Sequence, residues 1–154
     1  MSRAQIRREP YGSTVTRALT DALEAELTGR YGGQGGSGSE PPASDFEPPE
    51  GAFVVAELDR RAVGCGGVCR YDAARAELRR MFVAPDARGN GISRLVLAAL
   101  EQEARELGYR TLRLETGTGQ PEAIGLYTSA GFERIACYGP YVNDALSVCF
   151  EKEL

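Results

Sequence analysis

Met81-Phe82-Val83-Ala84-Pro85-Asp86-Ala87-Arg88-Gly89-Asn90-Gly91-Ile92-Ser93-Arg94 reads as a strand, a tight loop and the first turn of a helix. Pro85 has no N–H to give a sheet ladder, so it ends the strand. The helix that follows opens with unpaired N–H groups and the positive end of its dipole, a combination that attracts anions. Gly89 and Gly91 let a phosphate approach the backbone, and Arg88 adds a positive charge beside it. The stretch is therefore read as a pyrophosphate cradle. A P-loop is excluded because no Gly-Lys pair exists and Lys152 is the only lysine. A dinucleotide fingerprint fails because Arg94 stands where its third glycine belongs.

Working outward, residues 92–107 carry Ile92, Leu95, Val96, Ala99, Leu100, Ala104 and Leu107 at helical spacing, with Gly108 as the stop. Upstream, residues 52–58, 62–70 and 76–83 read as an antiparallel three-strand meander turned at Asp59 to Arg61 and at Asp72 to Arg75. Small residues Gly64, Gly66 and Gly67 weaken its middle strand and permit close approach. Downstream come a strand at 111–115, with Leu112 and Leu114 on one face, and a short helix at 121–129. Strands at 132–138 and 145–151 follow, the last with Leu146, Val148 and Phe150 turned inward. A strand at 5–9 and a helix at 14–28, capped by Ser13 or Thr14 and ended by Gly29, open the chain. Between them and the meander lies a Gly/Pro-rich segment, 32–51, too rich in breakers for a packed element. It is either a mobile cover for a site or a dispensable surface loop.

The chain has 154 residues, enough for one domain, and its net charge of −4 disfavours a nucleic-acid partner. No run is long and apolar enough for a membrane span, and residues 1–9 lack the hydrophobic core of a secretory signal, so a cytoplasmic protein is expected. There is no histidine. That removes Ser-His-Asp and Cys-His catalysis, His-ligated zinc and imidazole bases, leaving carboxylates, tyrosines, thiols and backbone amides. Cys65, Cys69, Cys137 and Cys149 fit neither zinc-ribbon nor obvious disulfide spacing and are expected as reduced, buried thiols. No metal is expected.

The cradle resembles the signature of the GNAT superfamily of acyl-CoA-dependent N-acyltransferases, Arg/Gln-x-x-Gly-x-Gly/Ala, here Arg88-Gly89-Asn90-Gly91-Ile92-Ser93. Ser93 departs from the small residue usual there. A second stretch, Ala123-Ile124-Gly125-Leu126-Tyr127-Thr128-Ser129-Ala130-Gly131-Phe132, is similar to another motif of that family, and the resemblance spans residues 52–152. It implies a single α/β (mixed α+β) domain over 1–154. A central, mostly antiparallel sheet of six to seven strands would be flanked by three to four helices and splayed at the fourth strand.

The resemblance further implies acetyl-CoA as co-substrate. Its pyrophosphate would sit on the amides of Arg88, Gly89, Asn90, Gly91, Ile92 and Ser93. Its pantetheine arm would lie along Met81, Phe82 and Val83, with Gln120 in place of a family asparagine, and a backbone N–H near Met81 to Val83 would polarise the acetyl carbonyl. Tyr127 matches the tyrosine that protonates the departing thiolate, against the plainer alternative of a packed ring. Glu77 is the first candidate base, placed by alternation on the face of Arg79, Met81 and Val83, or else a solvated carboxylate paired with Arg79 or Arg75; Glu115 is the second. Seven acids against Arg30 between residues 20 and 50 would make the acceptor side acidic, or merely form a solvated face. Tyr138-Gly139-Pro140-Tyr141 either closes over the acceptor or shapes a turn. The activity implied is acetyl transfer to a primary amine of a small molecule or amino acid. Peptide amines, or acyl-CoA sensing without turnover, are the alternatives. Dimers are common among such proteins.

Overall fold

The computed structural model describes residues 4–32 and 40–154. Among these residues seven strands form one sheet: β1 (Gln5–Arg8), β2 (Ala52–Leu58), β3 (Arg61–Arg70), β4 (Arg75–Val83), β5 (Thr111–Gly117), β6 (Glu133–Ile135) and β7 (Ser147–Glu153). Their spatial order is β1-β2-β3-β4-β5-β7-β6. Every neighbouring pair is antiparallel except β4 and β5. Among the described residues three α-helices flank it: α1 (Thr14–Tyr31), α2 (Ile92–Glu106) and α3 (Pro121–Ser129).

Local chemistry sets the ends of these elements. Ser13 accepts the Thr16 N–H at 3.1 Å to cap α1, satisfying one of the helix's orphan donors. The helix does not stop at Gly29, as expected; it runs on to Tyr31 and ends at Gly32, whose φ of 59° is the left-handed turn that glycine makes cheaply. Asp59 and Arg60, both with positive φ, form the tight link between β2 and β3, the backbone hand that suits a hairpin.

The sheet separates two cores. On one face α2 buries Ile92, Val96, Leu97 and Leu100 against Val54, Val63, Leu112 and Leu114, with Tyr127 of α3 joining them. The inward stripe of α2 thus includes Leu97, while Leu95 faces outward. On the other face α1 packs Leu19 and Leu23 in a cluster with Tyr11, Phe46, Phe53 and Phe82. Each such aliphatic side chain contributes roughly 1.5–3 kcal/mol when fully buried. The glycines of β3 have a physical reason: a Cβ on Gly66 would stand 2.7 Å from Leu100 Cδ1, and one on Gly67 would stand 2.6 Å from the Phe46 ring.

Two expectations need correction here. Part of the Gly/Pro-rich segment is packed: Ala43–Phe46 forms a 3-10 turn, with Phe46 buried between Tyr11 and Phe53. Tyr11 and Arg17 hold Glu40. Residues 33–39 of that segment, like residues 1–3, lie outside the described residues. Second, Cys137 and Cys149 form a disulfide, while Cys65 and Cys69 are free and buried. Antiparallel pairing of Ile135 with Cys149 brings Cys137 within reach, a proximity invisible in sequence spacing. No helix among the described residues is long and apolar enough to cross a membrane.

Candidate active site

Two irregularities of β4 create the site. The first is a bulge. Cys65 pairs with Phe82 and Gly67 with Arg79, so Gly66 alone faces both Arg80 and Met81. Arg80 takes a φ of 61° to accommodate the extra residue. The bulge reverses the alternation of the strand: Leu78 belongs to the core under α2, Phe82 to the core under α1. Glu77 and Arg79 are therefore not on the face of Met81 and Val83, contrary to the simple period-two expectation.

The second is a splay. β4 and β5 pair only at Arg75 with Thr111, Ala76 with Leu112 and Glu77 with Arg113. Beyond Glu77 the strands part, and a cavity of about 360 Å³ opens between them. Met81, Phe82 and Val83 line it from β4, and Arg88, Gly89, Gly91, Ile92 and Ser93 from the cradle. Glu115, Gln120 and Tyr127 complete the far wall. Of the sequence-predicted residues, only Asn90 and Glu77 are not on this wall; the Asn90 amide donates to the carbonyl of Ala87 at 2.9 Å and so holds the loop.

The helix tip at the end of this cavity is open. Gly91 precedes α2 with a φ of 74° and no side chain caps the helix. Gly89 has a φ of 84°. The first N–H groups of α2 thus remain for an anion. Arg88 donates to the carbonyl of Val83 at 3.0 Å and to Glu26 of α1 at 2.6 Å. Its charge is shared with α1. Arg30 ties the same Glu26 to Glu122 at the start of α3.

A smaller cavity of about 140 Å³ adjoins the first, with Leu23, Leu27, Leu78, Glu115 and Gln120 on the walls of both. It carries the charged residues Glu77, Arg79, Arg80 and Asp144 together with Tyr31 and Tyr141. The acids of α1 do not supply its negative charge. Glu24 pairs with Arg80 and Glu26 with Arg88, and Glu40, beyond the helix, pairs with Arg17. Instead Glu77, Glu115 and Asp144 do so, from the sheet and the loop before β7.

Glu115 accepts the Ser147 hydroxyl at 2.7 Å, and burial raises its pKa from the ordinary glutamate value despite that bond. Glu77 accepts the Tyr138 hydroxyl at 2.8 Å, with Arg79 Nε 3.9 Å from its other oxygen. Tyr138 in turn lies under the guanidinium of Arg113, 4.2 Å from its ring centre. Tyr141, on the turn Gly139–Tyr141, is half-buried, and burial lifts its hydroxyl to about 12. The 138–141 loop therefore does wall the smaller cavity.

Tyr127 is buried beside Phe132 and Phe150, and burial alone raises its pKa. Among the described residues nothing hydrogen-bonds its hydroxyl. Tyr31, Arg79, Arg80, Asp144 and Ser147 escape a motif reading. Their one sequence signal is the Arg79-Arg80 doublet, which interrupts the alternation of β4 where the bulge lies. Among the described residues no cluster of three or more acids or thiols could hold a metal ion.

The profile of the acetyltransferase (GNAT) family matches residues 9–132. An IAA acetyltransferase of Azospirillum brasilense is 42% identical over 107 residues, covering 69% of this chain and 70% of that protein. The uncharacterized N-acetyltransferase YjgM of Escherichia coli is 38% identical over 94 residues, covering 58% and 56%. Among solved structures, one from Klebsiella pneumoniae described as an acyl-CoA N-acyltransferase superposes with a TM-score of 0.82 at 32% identity, covering 98% of this chain and 97% of that one. A GNAT acetyltransferase of Elizabethkingia anophelis with acetyl-CoA bound shares the fold at a TM-score of 0.70 and 17% identity, covering 98% of each chain. The splayed fourth strand, the open helix tip and the family profile agree: the chain belongs to the GNAT family of acetyltransferases.

Proposed function

We propose that this chain is a single-domain N-acetyltransferase that moves an acetyl group from acetyl-CoA to the primary amine of a small molecule or amino acid, by direct attack in a ternary complex. One observation carries the reading. Two cavities meet at Glu115, one ending on an uncapped helix tip and the other lined by charged side chains. The larger suits the donor. Its glycine-softened loop and open N–H groups fit a diphosphate, and the unpaired flank of Met81, Phe82 and Val83 fits the amides of a pantetheine arm, with Gln120 opposite. That a protein of the same fold was solved with acetyl-CoA bound supports acetyl-CoA as the donor.

Bound acetyl-CoA supplies the electrophilic thioester carbonyl. A backbone N–H of the splayed strand near Met81 to Val83 polarises that carbonyl, an effect worth a few kcal/mol in a dry site. Glu115, at the junction, takes a proton from the incoming ammonium and so frees the amine lone pair. Its raised pKa brings it closer to the working pH than an ordinary carboxylate. Glu77 stands second, because it lines only the smaller cavity whereas Glu115 lines both. The amine nitrogen bonds to the carbonyl carbon, the carbon–sulfur bond breaks, and Tyr127 donates its phenolic proton to the thiolate; the second proton shed by the new amide nitrogen restores the phenol, and Glu115 returns its own to water. Burial keeps that phenol neutral at working pH.

Tyr127→Phe separates transfer from mere binding. The expected result is a loss of about a hundredfold in kcat, with acetyl-CoA still raising the melting temperature as any native-state ligand must. Undiminished kcat removes Tyr127 from the chemistry. A wild-type protein that is stabilised by acetyl-CoA yet releases no thiol with any amine is a sensor, not an enzyme.

A further inference from the structure

The smaller cavity holds a cation that the transfer chemistry does not use. Arg79 lines it because it alternates with Leu78, a residue of the core under α2, and so lies with Glu77 on the face away from α2. The other arginines around the site have close carboxylate partners: Arg80 with Glu24, Arg88 with Glu26, and Arg113 with Glu151. The only ion pair of Arg79 among the described residues is the 3.9 Å contact with Glu77, whose second oxygen already accepts from Tyr138. Its side chain is three-quarters buried. A guanidinium fork in such a place has donors to spare and matches a carboxylate in two-point geometry. On the same walls, Glu115 and Asp144 present negative charge to an ammonium, and Leu23, Leu27 and Leu146 present apolar surface.

We infer that the acceptor is a zwitterion, an amine bearing a nearby carboxylate, and that Arg79 is the residue that selects it by binding the carboxylate. The inference rests on the transferase reading and narrows it. Glu115 takes the ammonium end toward the donor, Arg79 holds the acid end, and the leucines accept an apolar substituent. An amine without the acid leaves the three-quarters-buried Arg79 without that partner, the condition under which a polar site discriminates strongly.

The test compares matched acceptors: leucine with isoamylamine and leucinamide, phenylalanine with phenethylamine and phenylalaninamide, each with acetyl-CoA and free-thiol detection. In the wild type, kcat/KM for the amino acid exceeds that for its amine and its amide by about tenfold or more. In Arg79→Gln that ratio falls by about tenfold, chiefly through KM for the amino acid, and Arg79→Lys recovers part of it. As a readout free of turnover, 4-methylpentanoate, which is leucine without its amine, inhibits competitively against leucine in the wild type and loses that inhibition in Arg79→Gln. Equal use of acid-bearing and acid-free amines by the wild type overturns the inference. So does an Arg79→Gln enzyme that loses both in equal measure. Should Arg79→Gln not fold, the wild-type ranking and Arg79→Lys decide. Thermal stabilisation by acetyl-CoA with no thiol released from any of the six acceptors, or from a wider amine library, sinks the transferase reading instead.

Discussion

Ser147, the first residue of β7, donates its hydroxyl to Glu115 of the neighbouring β5 at 2.7 Å, across the wall where the two cavities join. Two influences oppose each other there. Burial, together with the negative charges of Asp144 and Glu77, raises the pKa of Glu115; the Ser147 bond and Arg79 lower it, and the net direction is upward. A base must be ionised to work, so the acid limb of the rate profile follows this group. Ser147→Ala removes a lowering influence and is expected to move the acid limb of kcat/KM to higher pH. The folded pKa lies above the unfolded one, so Glu115 favours folding below its unfolded pKa, and that contribution is lost as pH rises through the folded value. Glu115→Gln is therefore expected to cut turnover by about a hundredfold or more while melting no lower than the wild type at neutral pH. A Glu115→Gln enzyme with full activity would remove Glu115 as the base.

Gly91 tests the cradle. Its φ of 74° is a conformation that costs a residue with a Cβ about 1–2 kcal/mol. An added methyl meets no protein atom within 4 Å. Gly91→Ala is thus expected to fold with a modest loss of stability. The strain falls on the turn that aims the first N–H groups of α2, so the KM for acetyl-CoA should rise severalfold while the KM for the acceptor changes little. Steady-state kinetics with each substrate varied in turn distinguishes the two.

Gly66 tests the packing behind the bulge. A Cβ there would approach Leu100 Cδ1 at 2.7 Å, Val96 Cγ1 at 3.2 Å and Met81 Sδ at 3.3 Å. Overpacking of this kind costs about 1–3 kcal/mol. At roughly 2–4 °C per kcal/mol for a chain of this size, Gly66→Ala should melt several degrees lower. Met81 is one of the displaced neighbours and also lines the larger cavity, so the KM for acetyl-CoA should rise with it.

The cradle and both helices of its face were legible because each rests on local chemistry. Pro85 ends a ladder, Gly89 and Gly91 permit positive φ, and the spacing of Ile92, Val96 and Leu100 turns one side of α2 to the sheet. The bulge at Arg80 was not legible, because an extra residue shows itself only against the register of the partner strand. Period-two reading from Glu77 therefore places Met81 and Val83 on the face of Arg79, whereas the bulge turns them to the opposite one. The end of α1 was misread for a related reason: Gly29 tolerates helix as readily as it stops one, and only the left-handed Gly32 settled the end three residues on. Phe46 looked like part of a structureless tract because its partners, Tyr11 and Phe53, lie in distant strands and loops.

The cysteines give the most direct check on tertiary pairing. Cys137 lies just past β6 and Cys149 within β7, and they are joined, whereas Cys65 and Cys69 sit buried in β3 with burial lifting each thiol to about 12. Thiols that stay protonated and enclosed react slowly. Thiol titration of the purified, oxidised protein should therefore find almost no reactive group in the native state, two after denaturation without reductant, and four after denaturation with it. Closing a loop of about 15 residues stabilises by roughly 3 kcal/mol in the chain-entropy account, so Cys137→Ser should lower the melting temperature under oxidising conditions. Because Tyr138, the next residue, holds Glu77 at 2.8 Å, releasing Cys137 should also loosen the wall of the smaller cavity and raise the acceptor KM more than the donor KM. Four thiols without reductant would show that β6 and β7 do not bring these two residues together.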